Sequence, residues 1–418
     1  LKTTSTSPVL VLALLLLAAA ALSIPRAEAE PATAPTLTAP AQPGGVKIDC
    51  AFPGGNIIVD QIEGDTVRLR QDNRDSKPWF YWYFRATGAA GRTVEFVFEP
   101  GVVGVHGPAV SLDKGVTWKW LGADSVKEGR FSYAFPAGAD DVRFSDGMPY
   151  LQSNLDSFLS RYQGNPVLRV GSLTKTPKGR NVVMIEAGAK KARYAVAITC
   201  RHHCSEMMAS YTVEGILEGV LADDATGRWL RENVEFLFVP FMDTDGAEDG
   251  DQGKERTPHD HNRDYAAEPP LYKEVAALKE RLPAWAEGRP LVFIDLHDPA
   301  LKGDIHETIA FLAPQEPDQA ERMNRLGDLF GRDMQGTLRV WFMPFGMAYN
   351  NHVETPSPLS CGWARSLPNI LLGFTGEVAY ANANGYEVNA HSARELGRDV
   401  AVALKDFLQE TSGATTKQ

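Results

Sequence analysis

Hydrophobic and polar positions divide the chain into zones with different periods. Val9 to Leu22 is almost entirely Leu, Val and Ala. From Val46 to Tyr150, short runs alternate apolar and polar residues between Gly, Pro and Asp, as in Thr66-Val67-Arg68-Leu69-Arg70 and Thr93-Val94-Glu95-Phe96-Val97-Phe98. A period of two over such lengths predicts half-buried strands. The runs at 79–85, 117–120, 131–135 and 142–144 read the same way. Strands at this spacing predict a β-sandwich over 47–150. The aromatic residues concentrated there fit a sandwich core better than a carbohydrate-stacking face.

After Tyr150 the pattern changes. Strand-like apolar runs at 180–186, 194–199, 234–241, 291–296 and 370–375 alternate with helical periodicity at 151–162, 207–221, 271–282, 319–330 and 393–408. That order predicts an α/β fold: a C-terminal α/β/α domain over 151–411 with a mixed, mostly parallel sheet.

Composition changes this picture little. The chain has 418 residues, 44% hydrophobic and 23% charged, which is ordinary for a soluble protein of more than one domain. A formal charge of -11 argues against nucleic acid or an anionic membrane as partner. The N-terminus adds more. Lys2, the apolar run and Ala27-Glu28-Ala29 predict a secretory signal peptide over 1–29, and hence a secreted or periplasmic protein with no membrane span in its mature form. An uncleaved anchor is the alternative, but the run is short for a full span. Leu1 fits a bacterial reading frame with a non-standard start codon. The Pro-, Ala- and Thr-rich segment 30–46 reads as a disordered linker.

Chemistry gathers at the predicted strand ends, where open α/β sheets bind ligands. His203 and Glu206 follow the 194–199 run, three residues apart at the start of a helix, so both side chains can face one point. A neutral imidazole and a carboxylate converging there suit zinc. The 234–241 run leads through Asp243-Thr244-Asp245-Gly246 to Asp260-His261-Asn262-Arg263. The 291–296 run ends at His297, and the 370–375 run at Gly376-Glu377. Each piece alone is a weak signal; four at the ends of one sheet form a convergent site. Cys200 and Cys204 flank it, either as members of a Cys-x-x-His-Cys metal knot or, with Cys50 and Cys361, as buried thiols.

In this order the motifs resemble the M14 family of zinc carboxypeptidases: His203-Cys204-Ser205-Glu206, then Asn262-Arg263, then His297 in Ile294-Asp295-Leu296-His297, then Glu377 in Thr375-Gly376-Glu377. The β-domain, through Phe52-Pro53-Gly54-Gly55-Asn56 and Trp79-Phe80-Tyr81-Trp82-Tyr83-Phe84, is similar to the one preceding the catalytic domain in the cytosolic-carboxypeptidase-like subgroup. The resemblance implies His203, Glu206 and His297 as ligands of one zinc ion, with Glu377 as general base. It implies that Asn262 and Arg263 hold the terminal carboxylate of a peptide substrate with a free C-terminus, and that Asp260 orients His203. The cation expected at the developing oxyanion is Lys254 or Arg256, and the expected pocket tyrosine is Tyr349. Cys204-Ser205 replaces the Pro-Gly often found in the subgroup. The implied activity is an exported metallocarboxypeptidase; the alternative is an M14-like amidohydrolase acting on N-acyl amino acids or cell-wall peptides. Residues 341–366, which would set side-chain preference, carry no readable feature.

Overall fold

The computed structural model describes residues 45–415 except 75 and 353–356, with side chains described to residue 411. The expected signal peptide and nearly all of the expected linker lie outside the described residues. Among the described residues, no helix is long and apolar enough to cross a membrane.

The N-terminal β region contains two five-stranded sheets. One runs in the order Lys47–Asp49, Tyr83–Thr87, Val142–Ser145, Ala109–Ser111, Lys119–Trp120, antiparallel throughout. The other runs Ile58–Glu63, Thr66–Arg70, Thr93–Val97, Arg130–Ala134, Val126–Lys127. Inward-facing rings join them: Phe84 and Phe144 of the first lie 5.4 and 5.1 Å from Phe96 of the second. Phe144 also lies 5.5 Å from Phe131. This aromatic layer is the sandwich core that the alternating pattern implies. The predicted strand at 79–85 is shorter than expected and begins only at Tyr83. Upstream, the amides of Tyr81 and Trp82 donate to the side chains of Gln252 and Asp146 and are lost to pairing with a strand. The 117–120 run likewise shrinks to Lys119–Trp120, because Asp113 accepts from the amides of Val116 and Thr117.

The α/β region is built on an eight-stranded sheet in the order Leu168–Lys175, Asn181–Ala187, Val234–Val239, Tyr194–Cys200, Leu291–His297, Ile370–Glu377, Ile309–Leu312, Val340–Met343. Four of its seven neighbouring pairs are parallel. Every residue of the central strands Tyr194–Cys200, Val234–Val239 and Leu291–His297 is buried, and most are apolar, because both faces are covered. Val196 and Ile198 join one core with Ile216 and Leu404, while Ala195 and Ala197 join the other with Val275 and Leu278. The three strands missing from the sequence reading lie at the sheet's margins. Leu168–Lys175 is largely exposed, and Ile309–Leu312 and Val340–Met343 have four residues each, too few to show a period.

The helix Met208–Leu221, which starts just after the two candidate ligands, packs closely on Ala390–Thr415. Gly215 makes this possible: a Cβ there would lie 2.1 Å from the carbonyl oxygen of Arg394. Gly215→Ala must therefore push the helices apart, and it should lower the unfolding free energy by about 2 kcal/mol or more. A denaturant midpoint measured against the parent protein checks this; an unchanged midpoint would contradict the close packing.

Candidate metal centre and active site

Register brings the site together. Cys200 pairs with Leu296, and His297 pairs with Glu377, so three neighbouring parallel strands end at one level. Arg201, the first residue past its strand, has φ +60°. Such a conformation is costly for a non-glycine residue and persists only when the surroundings hold it. Here the buried guanidinium donates to the carbonyls of Cys204 (2.8 Å) and Tyr150 (2.9 Å) and to Ser210 Oγ (3.2 Å). It thus closes the turn that carries His203 and Glu206. From the neighbouring strand, Asp298 accepts from the amides of Met208 (2.6 Å) and Ala209 (2.7 Å), fixing the start of the helix that follows.

His203, Glu206 and His297 are all buried, and their donor atoms lie within 4.8 Å of one another. Glu206 Oε1 is 2.8 Å from His203 Nδ1, and Oε2 is 2.6 Å from His297 Nδ1. The far nitrogen of each ring meets a carboxylate: His203 Nε2 lies 3.4 Å from Asp260, and His297 Nε2 lies 2.8 Å from Asp295. Two Nδ1 atoms converging on a carboxylate, each ring oriented from behind by an acid, is a donor set that fits zinc. The burial of Glu206 opposes its charge, but His203, Lys254 and His297 outweigh it and hold the carboxyl well below its usual range.

His202, Asp295 and His297 also lie close enough to be considered as a metal group. Their atoms are already engaged. Asp295 accepts from Thr199 Oγ1 (2.7 Å) and Ser360 Oγ and meets His202 Nδ1 at 2.9 Å, while His202 Nε2 meets the Tyr265 hydroxyl at 2.7 Å. This cluster reads as the hydrogen-bonded support behind His297. All four cysteines are free thiols, three of them buried, and neither metal group includes one.

The other expected residues fall around this centre. Glu377 stands beside His297, and its Oε2 is buried with no hydrogen-bond partner among the described residues. Burial raises its carboxyl pKa, and the charge of Glu206 adds to that, against His297 and Lys254. Of the two candidate cations only Lys254 reaches the site, donating to Glu206 Oε1 at 3.1 Å. Arg256 points away and pairs with Asp243 (2.6 Å) and Asp251 (3.1 Å). Gly253 permits this arrangement: with φ +75° it lies so close to the ligand turn that a Cβ would sit 2.4 Å from the Cys204 amide. Arg263 is about a third exposed, with Nη1 3.5 Å from His203 Nε2 and 3.9 Å from Asp260. Asn262 is committed more deeply, accepting from the Ser360 amide (3.0 Å) with its Nδ2 3.3 Å from His297 Nε2. The hydroxyl of Tyr349 is buried, and the negative charge of Glu377, after burial, raises its pKa.

Sequence reasoning missed Asp295, Asp298 and Arg201. Asp295 had a usable signal, because residues two apart on a strand share a face. The roles of Arg201 and Asp298 depend on contacts that no local pattern encodes.

Comparison with known proteins agrees with this geometry. Residues 155–277 match the family model described as zinc carboxypeptidase, Peptidase M14. That span contains His203, Glu206, Asn262 and Arg263 and ends before His297 and Glu377. Cytosolic carboxypeptidase 3 of Mus musculus is 26% identical over 303 residues, covering 62% of this chain and 29% of the mouse protein. An uncharacterized protein of Zymomonas mobilis is 26% identical over 212 residues, covering 48% of this chain and 54% of that protein. The chain thus spans about half or less of the length of these relatives. A metallo-carboxypeptidase structure from Burkholderia cenocepacia superposes with a TM-score of 0.75 at 22% identity, covering 88% of this chain and all of that one. At that identity the match establishes a shared fold, and the resemblance read from the motifs stands at the level of the family.

If Asp260 and Asp295 orient the two imidazoles, removing either carboxylate should weaken zinc retention by about 10- to 100-fold. Competition against a chromophoric chelator, with Asp260→Ala and Asp295→Ala compared with the parent, measures this. Unchanged affinity in both variants would contradict the assignment.

Proposed function

We propose that this relative of the M14 zinc carboxypeptidases is itself an exported, zinc-dependent metallocarboxypeptidase, hydrolysing the C-terminal peptide bond of peptides. The observation that carries the reading is the meeting of His203 Nδ1, Glu206 and His297 Nδ1 beside the buried Oε2 of Glu377, which has no hydrogen-bond partner among the described residues. The apolar run from Val9 to Leu22 supports export.

His203, Glu206 and His297 would hold the metal, leaving a fourth position open. Zinc bound there would supply a Lewis acid for the scissile carbonyl and acidify a water. Glu377 accepts a proton from the attacking water through its buried Oε2 and returns it to the leaving amine. Lys254, which donates to Glu206 Oε1, would stabilise the oxygen on which negative charge grows. Arg263 offers a planar fork to the substrate's terminal carboxylate. Asn262 supports this arrangement through Ser360 and His297. With the carboxylate held at a fixed distance from Glu377, only the last peptide bond reaches the site.

Two measurements test this reading. Glu377→Gln should keep its zinc and lose about 100- to 10,000-fold in kcat, whereas His203→Ala should lose both metal and turnover. Full activity in Glu377→Gln would overturn the base assignment. A peptide with a free C-terminus should be cleaved and its C-terminally amidated form should not. Equal turnover of the two would replace the exopeptidase reading with the amidohydrolase one.

A further inference from the structure

Among the described residues, Lys254 is the cation of the site whose loop is held by the N-terminal β region. Its loop is held from that side at several points. Asn56 Nδ2 donates to the Gly250 carbonyl at 2.7 Å. The fully buried Gln252 exchanges hydrogen bonds with the backbone of Tyr81, both at 2.9 Å. Arg74 Nη1 donates to the Asp249 carbonyl at 2.6 Å, and Ser76 forms a β-bridge with Arg256. From the other side, Gly253 rests against the turn that carries His203.

Within that clamp, the Lys254 ammonium lies 5.0 Å from the centre of the Trp79 ring, over its face. Trp79 is itself held. Its amide donates to Asn73 Oδ1 at 3.3 Å, its carbonyl accepts from Gln71 Nε2 at 2.8 Å, and its ring packs on Phe80 at 4.8 Å. Phe80 meets Tyr380 edge-on at 5.6 Å, and the Tyr380 hydroxyl donates to the carbonyl of Ser205, between the two ligands of the turn. The tryptophan is thus fixed relative to the ligands before it touches the lysine.

We propose that Trp79 is a positioning residue for Lys254, so that the β region supplies part of the active site. A lysine needs such help more than an arginine would, because its ammonium is a point charge on a flexible four-carbon stem. Two carboxylates, Glu206 and Glu377, attract it. The indole face beneath the ammonium confines it and offers it a favourable electrostatic surface. Without that face, the ammonium is free to swing onto Glu377 and occupy the oxygen that must take the proton.

This inference rests on the peptidase reading for its kinetic test, so a second measurement independent of turnover accompanies it. In the full-length zinc enzyme, Trp79→Leu should lower kcat roughly tenfold with little change in KM, zinc content or melting temperature. Trp79→Phe, which keeps an aromatic face, should restore most of the loss. In Lys254→Met, adding Trp79→Leu should cost nothing more. Separately, pulse acetylation with acetic anhydride and peptide mapping by mass spectrometry should show Lys254 labelled several-fold faster in Trp79→Leu than in the parent, with Trp79→Phe close to the parent. Losses that multiply in the double variant, or equal impairment by Leu and Phe, would overturn the proposal. So would parental labelling of Lys254 in Trp79→Leu. Should the parent cleave no peptide, the peptidase reading fails, and the labelling still decides the role of Trp79.

Discussion

The constraint on which the rest depends is the cost of removing several carboxylates from water at the ends of three parallel strands. Glu206, Asp260 and Asp295 are buried there, and Glu377 stands among them with a buried oxygen. Isolated buried carboxylates would be prohibitively unfavourable, so each must meet positive charge or hydrogen-bond donors. Asp295 meets two imidazoles and two hydroxyls, and Asp260 meets His203 and Arg263. With neutral imidazoles, Lys254 and Arg263 offset two of these four charges. The remaining deficit is what a divalent cation between His203, Glu206 and His297 would fill.

That electrostatic demand explains why so much of the surrounding structure is devoted to holding short segments still. Arg201 accepts a left-handed backbone to close the ligand turn, and Asp298 ties that turn's helix to the strand bearing His297. The β region presses the 249–256 loop toward the same point, which seats Lys254 and turns Arg256 outward onto Asp243 and Asp251. The sandwich and the α/β region therefore meet where charge must be placed most accurately. In the isolated sequence they look like separate modules.

How much of this could be read in advance follows from the range of each interaction. Strands buried on both faces announce themselves as largely apolar runs, so the central sheet and the strand ends that carry His203, Glu206, His297 and Glu377 were legible. Marginal strands such as Ile309–Leu312 were too short to show a period, and the run at 79–85, which reads as a full strand, begins only at Tyr83 because side chains far along the chain claim its earlier amides. The choice between Lys254 and Arg256 could not be made from spacing. It turns on Gly253 fitting against Cys204 and on two aspartates that capture the arginine. Asp295 could have been found from its place two residues before His297, whereas Trp79 lies 175 residues from Lys254 in sequence and gave no local sign.

Whether one divalent ion completes this charge arrangement can be decided by X-ray diffraction recorded on either side of the zinc absorption edge. A single anomalous peak is expected between the Nδ1 atoms of His203 and His297 and the carboxylate of Glu206, at about 2.0–2.2 Å from each. A catalytically active crystal with no peak at that position, or with zinc held instead by other residues, would contradict it.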